Sequence, residues 1–477
     1  MNYTIILSFL MFLSSCGKDK EVIIPKEEAG NNGPRIYQGL SDGMLLDTIQ
    51  YYTFQYFWDG AEPNSGLAPE RIHMSGIYPL NDQYVVTTGG SGFGLMAILV
   101  GIDRGFISRE EGVQRFEKIA DFLENADRFH GAWPHWMDGK TGKVVPFGQK
   151  DNGGDLVETS FLAQGLICVQ EYFKNGSESE KQLSERIKSL WHGIEFNWYE
   201  KDDSNVLYWH WSPNYAWQMN FPLEGYNECL ITYITGASSP DYSIKADTYH
   251  KGWARNGNIV QPSSKYGYTL DLKHNGNHSA GGPLFWAHYS YLGFNPSIAS
   301  DKYANYKDIN VAHTLMNRAY CIQNPKKFEG YGENLWGLTA SYSIKGYREW
   351  ENGGGRDRND LIASDLYLGY TAHSPNEDFG VISPTAALSS FPYAPEECMK
   401  VAKEIYFNLG EKTFGKYGPY DAFSVEHNWY PRSYLAIDQG PIVCMIENYR
   451  TGLLWDLFMN CPEVKEGLNK LEFTIEQ

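Results

Sequence analysis

The stretch Asp151-Asn-Gly-Gly-Asp155-Leu-Val-Glu158-Thr-Ser-Phe-Leu162 governs how the rest of the chain is read. A glycine turn leads into an apolar run at helical spacing, and three carboxylates stand at i, i+4 and i+7 across that junction. Asp155 with Glu158 three residues later has the form of a capping box, which satisfies backbone N–H groups at a helix start. Just upstream lies Trp133-Pro-His135-Trp136-Met-Asp138. Acids beside such rings also suit sugar cleavage, where carboxyl groups move protons and flat rings stack on pyranose faces. Read from this segment alone, capping and catalysis both stand.

Helical periodicity continues outward in both directions. The pattern predicts helices near 43–59, 90–103, 108–127, 156–173, 179–197, 224–236, 281–292, 303–322, 334–342, 383–391, 395–409 and 439–459. In 108–127, Ser108 precedes Glu110 and Glu111, and Val113, Phe116, Ile119, Ala120 and Leu123 form one apolar stripe. Taken in pairs, these elements give a mainly α fold, an (α/α)6 barrel of six helical hairpins. The loops at 60–88, 129–155, 198–223, 237–280 and 343–381 exceed the usual connection length. In a toroid they gather at one end and build a cleft there. Val206-Leu-Tyr-Trp-His-Trp211 alternates as a short strand does.

The N-terminus reads differently. Ile5 to Leu13 is too short an apolar run to span a bilayer, and Leu13-Ser-Ser-Cys16 reads as a lipobox, with cleavage before Cys16 and a lipid on its sulfur. Residues 1–16 are thus expected to be a lipoprotein signal peptide and 17–40 a polar tether, leaving 41–477 as one large domain in the bacterial cell envelope, held at a membrane by its anchor. The net charge is −18, from 40 basic and 58 acidic residues, with no basic stripe, so nucleic acid is a poor partner. Aromatic residues make up 15% of the chain, enough to line a cleft as well as a core. Cys168, Cys229, Cys321, Cys398, Cys444 and Cys461 are dispersed and lack metal-ligand spacing, as buried small hydrophobes do.

A second acid pair, Glu224-Gly-Tyr-Asn-Glu228, opens an apolar helix. Glu228 either favours the positive end of the helix dipole or serves as a proton donor, its pKa raised by burial against Trp209, Trp211 or Trp217. His274 and His278 are four apart, but the Asn-Gly-Asn between them opposes a helix and no third ligand has a fixed spacing. A sugar-hydroxyl hydrogen bond from His278 fits better than a metal, and no cofactor is expected. Glycines at 89–94 lack the Lys-Ser/Thr of a phosphate loop and suit close helix packing, and Ser91 among them is not in a nucleophile elbow. Asp378, Asp421 and Asp438 complete the acids of interest; Asp438 reads as a helix cap and Asp421 as a loop residue placed to line the cleft.

Val157-Glu158-Thr-Ser-Phe-Leu, Gly225-Tyr-Asn-Glu228, Trp336-Gly-Leu-Thr-Ala-Ser341, Ser383-Pro-Thr-Ala-Ala-Leu-Ser-Ser390 and Ala436-Ile-Asp-Gln-Gly-Pro-Ile together resemble the bacterial glycoamylase-like domain. More narrowly, the chain resembles glycoside hydrolase family 144, the β-1,2-glucan hydrolases. The resemblance implies an (α/α)6 barrel and hydrolysis of β-1,2-glucan or its oligosaccharides with inversion, some relatives releasing sophorose. It places the family's acid cluster on Asp151, Asp155 and Glu158 and the further glutamate on Glu228, with Glu224 the alternative. Glu228 is then the acid, Asp151 or Asp155 helps the water, and Glu158 supports them or binds sugar. Trp133, His135, Trp136, Trp209, Trp217, Glu224, His278 and Trp336 are the expected substrate contacts. Tyr331-Gly-Glu333 and Ser341-Tyr342 depart from the family pattern. The alternatives are a glycosidase for α-glucan on the same fold and a non-catalytic, lipid-anchored glycan-binding protein.

Overall fold

The computed structural model describes residues 35–74, 84–276, 278–344 and 369–476. The lipobox ending at Cys16 and most of the tether lie outside the described residues. Among the described residues no helix is long and apolar enough to cross a membrane.

The chain is mainly helical. In order come α1 (Asp42–Trp58), α2 (Thr88–Asp103), α3 (Arg109–Asn125), α4 (Leu156–Phe173), α5 (Glu178–His192), α6 (Leu230–Ser238), α7 (Tyr306–Gln323), α8 (Pro384–Leu388), α9 (Pro395–Lys403), α10 (Gly410–Thr413), α11 (Ala436–Arg450), α12 (Leu453–Asn460) and α13 (Pro462–Lys470). Their burial divides them. α2, α4, α6 and α11 are buried on nearly every side, as expected of helices that are apolar all round. α3 and α5 bury a single stripe, Phe116, Ile119 and Leu123 on one and Leu183, Ile187 and Leu190 on the other. α2 packs on α4 and α11, α4 on α5, α1 on α11 and α13 on α6, so the inner helices are jacketed by outer ones. One apolar core runs through all of them, from Leu45 to Phe473.

Local sequence explains where several helices start. Ser108 and Glu111 form a reciprocal capping box at α3, as do Ser177 and Glu180 at α5. The 89–94 glycines allow α2 and α4 to touch backbone to backbone. A Cβ on Gly92 would run into the Phe161 carbonyl and the Leu162 Cα, and one on Gly165 would strike the backbone of Gly92. Side chains larger than hydrogen have no place at this crossing.

Several sequence expectations change. Residues 224–229 are turn and bridge, and helix begins only at Leu230. The 281–292 segment forms two 3-10 turns, Leu284–Ala287 and Tyr289–Tyr291. The expected helix at 334–342 ends instead in a strand, Ala340–Ser343, paired with Gly369–Ala372. The 439–459 pattern breaks at Gly452, whose φ of +76° ends α11 before α12. Glycine and proline in buried apolar runs account for these misreadings, because such runs look alike whether helical or extended.

Short strands brace the loops: β1 (Arg71–His73), β2 (Val85–Thr87), β3 (Trp136–Asp138), β4 (Val144–Val145), β5 (Gly154–Asp155) and β6 (His210–Trp211). β2, β3 and β4 form one small antiparallel sheet, and β5 pairs with β6. The alternation at 206–211 thus yields only a two-residue strand.

Candidate active site

Three stretches singled out by sequence meet around β5. The Asp155 N–H donates to the Trp133 carbonyl (3.0 Å) and the Leu156 N–H to the Trp209 carbonyl (2.8 Å). Asp155 faces His210 across the ladder. Its side chain is the N-cap of α4, accepting from the Glu158 N–H at 2.9 Å. Glu158 does not return the favour. Its carboxylate turns to the start of α2 and accepts the Gly89 N–H at 2.7 Å. The capping reading therefore holds for Asp155 alone, and Glu158 serves to join two helix starts, whose positive ends suit a carboxylate.

Two imidazoles contact the aspartates, and one of them, His210, bridges the pair. His135 Nδ1 donates to Asp155 at 2.9 Å, and His210 Nε2 lies 3.2 Å from Asp151 and 3.5 Å from Asp155. Burial by itself disfavours the charged imidazole, but Glu158, Asp155 and Asp151 outweigh it and carry His135 up to about 10. His210 is likewise held at about 9 by its two aspartates. Both are imidazolium at neutral pH. Burial pushes Asp155 up, yet the hydrogen bonds and charges of the two histidines overcome it and hold its carboxyl well below the usual range. Burial lifts Glu158 to about 7, against the charge of His135 and the hydrogen bond from Gly89. Asp151 Oδ1 is buried and has no hydrogen-bond partner among the described residues. Among the described residues, His135, Asp151 and Asp155 offer donor atoms close enough for a cation, within 4.8 Å of one another, but His135 Nδ1 is spent on Asp155.

Glu228 sits in the turn before α6, half-buried, and Asn227 accepts the Cys229 N–H there at 3.0 Å. Burial raises the Glu228 carboxyl to about 7. The buried Cys229 thiol feels Glu228, Asp155 and Glu158 at once, which places the two acid groups in one neighbourhood. Glu224 points elsewhere: it is 41% exposed, 3.9 Å from Arg255. The two glutamates thus sit in different surroundings.

The expected aromatic contacts divide. Trp209 and Trp217 are half-buried at the surface of the loops, and Trp209 lies parallel to His210, 5.6 Å between centroids. Trp136 is 5% exposed beneath Arg71, so it offers little to a ligand. Trp133 and Trp336 are fully buried. Trp133 donates to the Leu123 carbonyl and is covered by Arg128, 3.9 Å from its ring, so it is a core residue and not a sugar platform. Trp336 is corrected in the same way. His278 is half-buried, 3.3 Å from Ser374 Oγ.

Sequence reasoning missed His210, whose partners stand more than fifty residues away, and Phe147, which is 37% exposed and lies 4.0 Å from the His135 ring. It named Asp421 and Asp438 but not their pairing. Asp438 is not a cap, since Leu435 holds that position at α11. Fully buried, Asp438 pairs with the Asp421 carboxyl, and burial with that neighbour raises it well above the usual range. Asp421 accepts the Tyr342 N–H at 2.7 Å and is raised by burial to about 6. It lies in a loop, as expected, but is only 2% exposed. Asp378 is structural, accepting from Tyr320 (2.9 Å) and Tyr331 (2.7 Å). All six scattered cysteines are free and buried, as expected.

The Glycoamylase family model, which describes a glucoamylase, matches residues 220–462. The chain is 46% identical over 450 residues to an exo-β-1,2-glucooligosaccharide sophorohydrolase (non-reducing end) of Parabacteroides distasonis; the match takes in 91% of this chain and 58% of that protein. It is 59% identical to the endo-β-1,2-glucanase of Chitinophaga pinensis, solved with sophorotriose and glucose, with a TM-score of 0.86 over 91% of this chain and 99% of that one. An endo-β-1,2-glucanase from Talaromyces funiculosus, solved with β-1,2-glucan, is 10% identical with a TM-score of 0.62, covering 91% of each chain, and shares the fold alone.

Proposed function

This chain belongs to the Glycoamylase family, and on that premise we propose that it is a glycoside hydrolase acting on β-1,2-glucosidic bonds in β-1,2-glucan or its oligosaccharides. The names of the Parabacteroides and Chitinophaga relatives support this substrate class. The reading includes an (α/α)6 barrel, for which the inner and outer helices are the support, and anchoring of the chain to a bacterial envelope membrane through lipidated Cys16.

The observation that carries the chemistry is the contrast between carboxyls. Burial holds the Glu228 proton to about pH 7, while imidazolium partners keep Asp155 ionised. Carboxyls pushed apart in this way divide acid and base roles. Glu228 is the general acid that protonates the departing glycosidic oxygen. Asp151, whose Oδ1 has no hydrogen-bond partner among the described residues, positions and activates the water. Asp155, bound to two imidazolium groups, is too weak a base for that step and orients His135 and His210 instead. Attack by water opposite the leaving group inverts the anomeric carbon.

Incubation of the purified protein with linear β-1,2-glucan and with starch-type α-glucan tests the substrate class. Sophorose or a β-1,2 ladder is the expected product. Activity on α-glucan alone would favour a glucoamylase, and inertness toward both would favour a glycan-binding protein.

A further inference from the structure

The reverse face of the acid-bearing ladder carries aromatic groups that the chemistry above does not use. β5 and β6 pair Asp155 with His210 and Gly154 with Trp211. Successive side chains along a strand point to opposite faces, so His210 faces the acids and Trp211 faces away. There the Trp211 ring meets His130 edge-on at 4.7 Å and Trp198 at 6.5 Å. His130 and Trp198 lie flat on each other, 3.8 Å apart with planes 13° from parallel.

The backbone under this stack is unusual. His130 has a φ of +49°, in the left-handed region, within the Phe129–Ala132 turn. A non-glycine residue there is strained. The adjacent Gly131 has a φ of +75° and no room for a Cβ against the Gly193 carbonyl. The turn is nonetheless fixed, through the Glu195 N–H on the His130 carbonyl (3.2 Å), and the Glu195 carboxylate reaches His130 Nδ1 at 3.2 Å. The result is an indole 42% exposed, one face bedded on imidazole, with a donor and an acceptor at its rim.

The chemistry of the rim selects the occupant. A protein partner wants a contiguous apolar patch of several hundred Å², whereas Trp198 is flanked by exposed Asn197, Asp202 and Asp203. A pyranose offers a C–H face for the ring and hydroxyls for His130 and Glu195 at the same time. We propose that Trp198 on its bed of His130 is a second, non-catalytic binding platform, which takes the pyranose face of a long β-linked glucose chain on the reverse side of the β5–β6 ladder. The proposal rests on the glucan reading above.

Trp198→Ala tests it, with Trp198→Tyr as the conservative control. Hydrolysis of long β-1,2-glucan is compared with hydrolysis of a short β-1,2-glucooligosaccharide. Retention in a gel containing β-1,2-glucan is measured in a Glu228→Gln background. Loss of one ring contact should raise KM for the polymer roughly 3- to 10-fold and weaken retention. kcat/KM for the short substrate should stay within about twofold, because a short chain does not reach the platform, and Trp198→Tyr should recover much of the polymer effect. Equal losses on long and short substrates, or hydrolysis and retention unaltered by Trp198→Ala, would overturn the platform alone. A wild-type protein that neither cleaves nor binds β-1,2-glucan would overturn the functional reading, and the platform with it.

Discussion

Replacing His210 with Gln removes the imidazolium group that bridges Asp151 and Asp155 while keeping an N–H donor of similar reach. The His210 side chain is 10% exposed, and those of Asp151 and Asp155 are 5% and 0%, so solvent screens the interaction little. Holding a proton from an ordinary pKa near 6.5 up to about 9 is worth about 3 kcal/mol, close to the roughly 3–5 kcal/mol lost when one partner of a buried ion pair is removed. The sign follows from the raised pKa. The contribution is complete below about pH 6.5 and disappears as pH rises through about 9. An unfolding entropy of roughly 2.1 cal/mol/K per residue over about 400 residues converts 3 kcal/mol into about 3–4 °C. Calorimetry of wild type and His210→Gln at about pH 6 should therefore show that gap in Tm. At about pH 9.5 the wild type has lost the proton and the gap should shrink below about 1 °C. An equal gap at both pH values, or none at pH 6, would refute the assignment of His210 as the charged bridge between the aspartates.

Glu228→Gln should lower kcat by a factor on the order of 10³ or more with substrate binding retained, and the wild-type rate should fall on the alkaline side of about pH 7, where burial places the Glu228 proton; if Glu224→Gln inactivates and Glu228→Gln does not, the acid is misassigned. Asp151→Asn should cut kcat at least about 100-fold, and near-normal turnover would remove Asp151 from the mechanism. Gly92→Ala places a methyl against the backbone of Phe161 and Leu162 and should cost on the order of 3 kcal/mol, whereas Gly43→Ala meets nothing within 4 Å and should be neutral or slightly stabilising; equal denaturation midpoints for the two variants would contradict the close α2–α4 crossing.

The parts of this structure visible in the sequence are those written in local contacts. Ser108 and Glu111 announce α3 because cap and partner are three residues apart. The cluster of Asp151, Asp155 and Glu158 is legible for the same reason, although the turn of Glu158 toward Gly89 is not, since Gly89 lies 69 positions away. His210 was invisible because its meaning comes from aspartates brought to it by a two-residue ladder. Asp438 looked like a cap because acids near helix starts usually are; only the packing of Asp421 beside it reveals a paired carboxyl. Trp133 and Trp336 show the opposite failure, since residue type does not say which aromatic faces the core.

The central claim is a single displacement on a β-1,2-glucosidic bond, with Glu228 as acid and water delivered from the opposite side. Proton NMR of β-1,2-glucan during the first minutes of hydrolysis reads it most directly, through the anomeric form of the newly released reducing end. The account predicts the α-anomer first, followed by mutarotation, and no signal with Glu228→Gln. Initial release of the β-anomer, or no new reducing end from β-1,2-glucan at all, would contradict it.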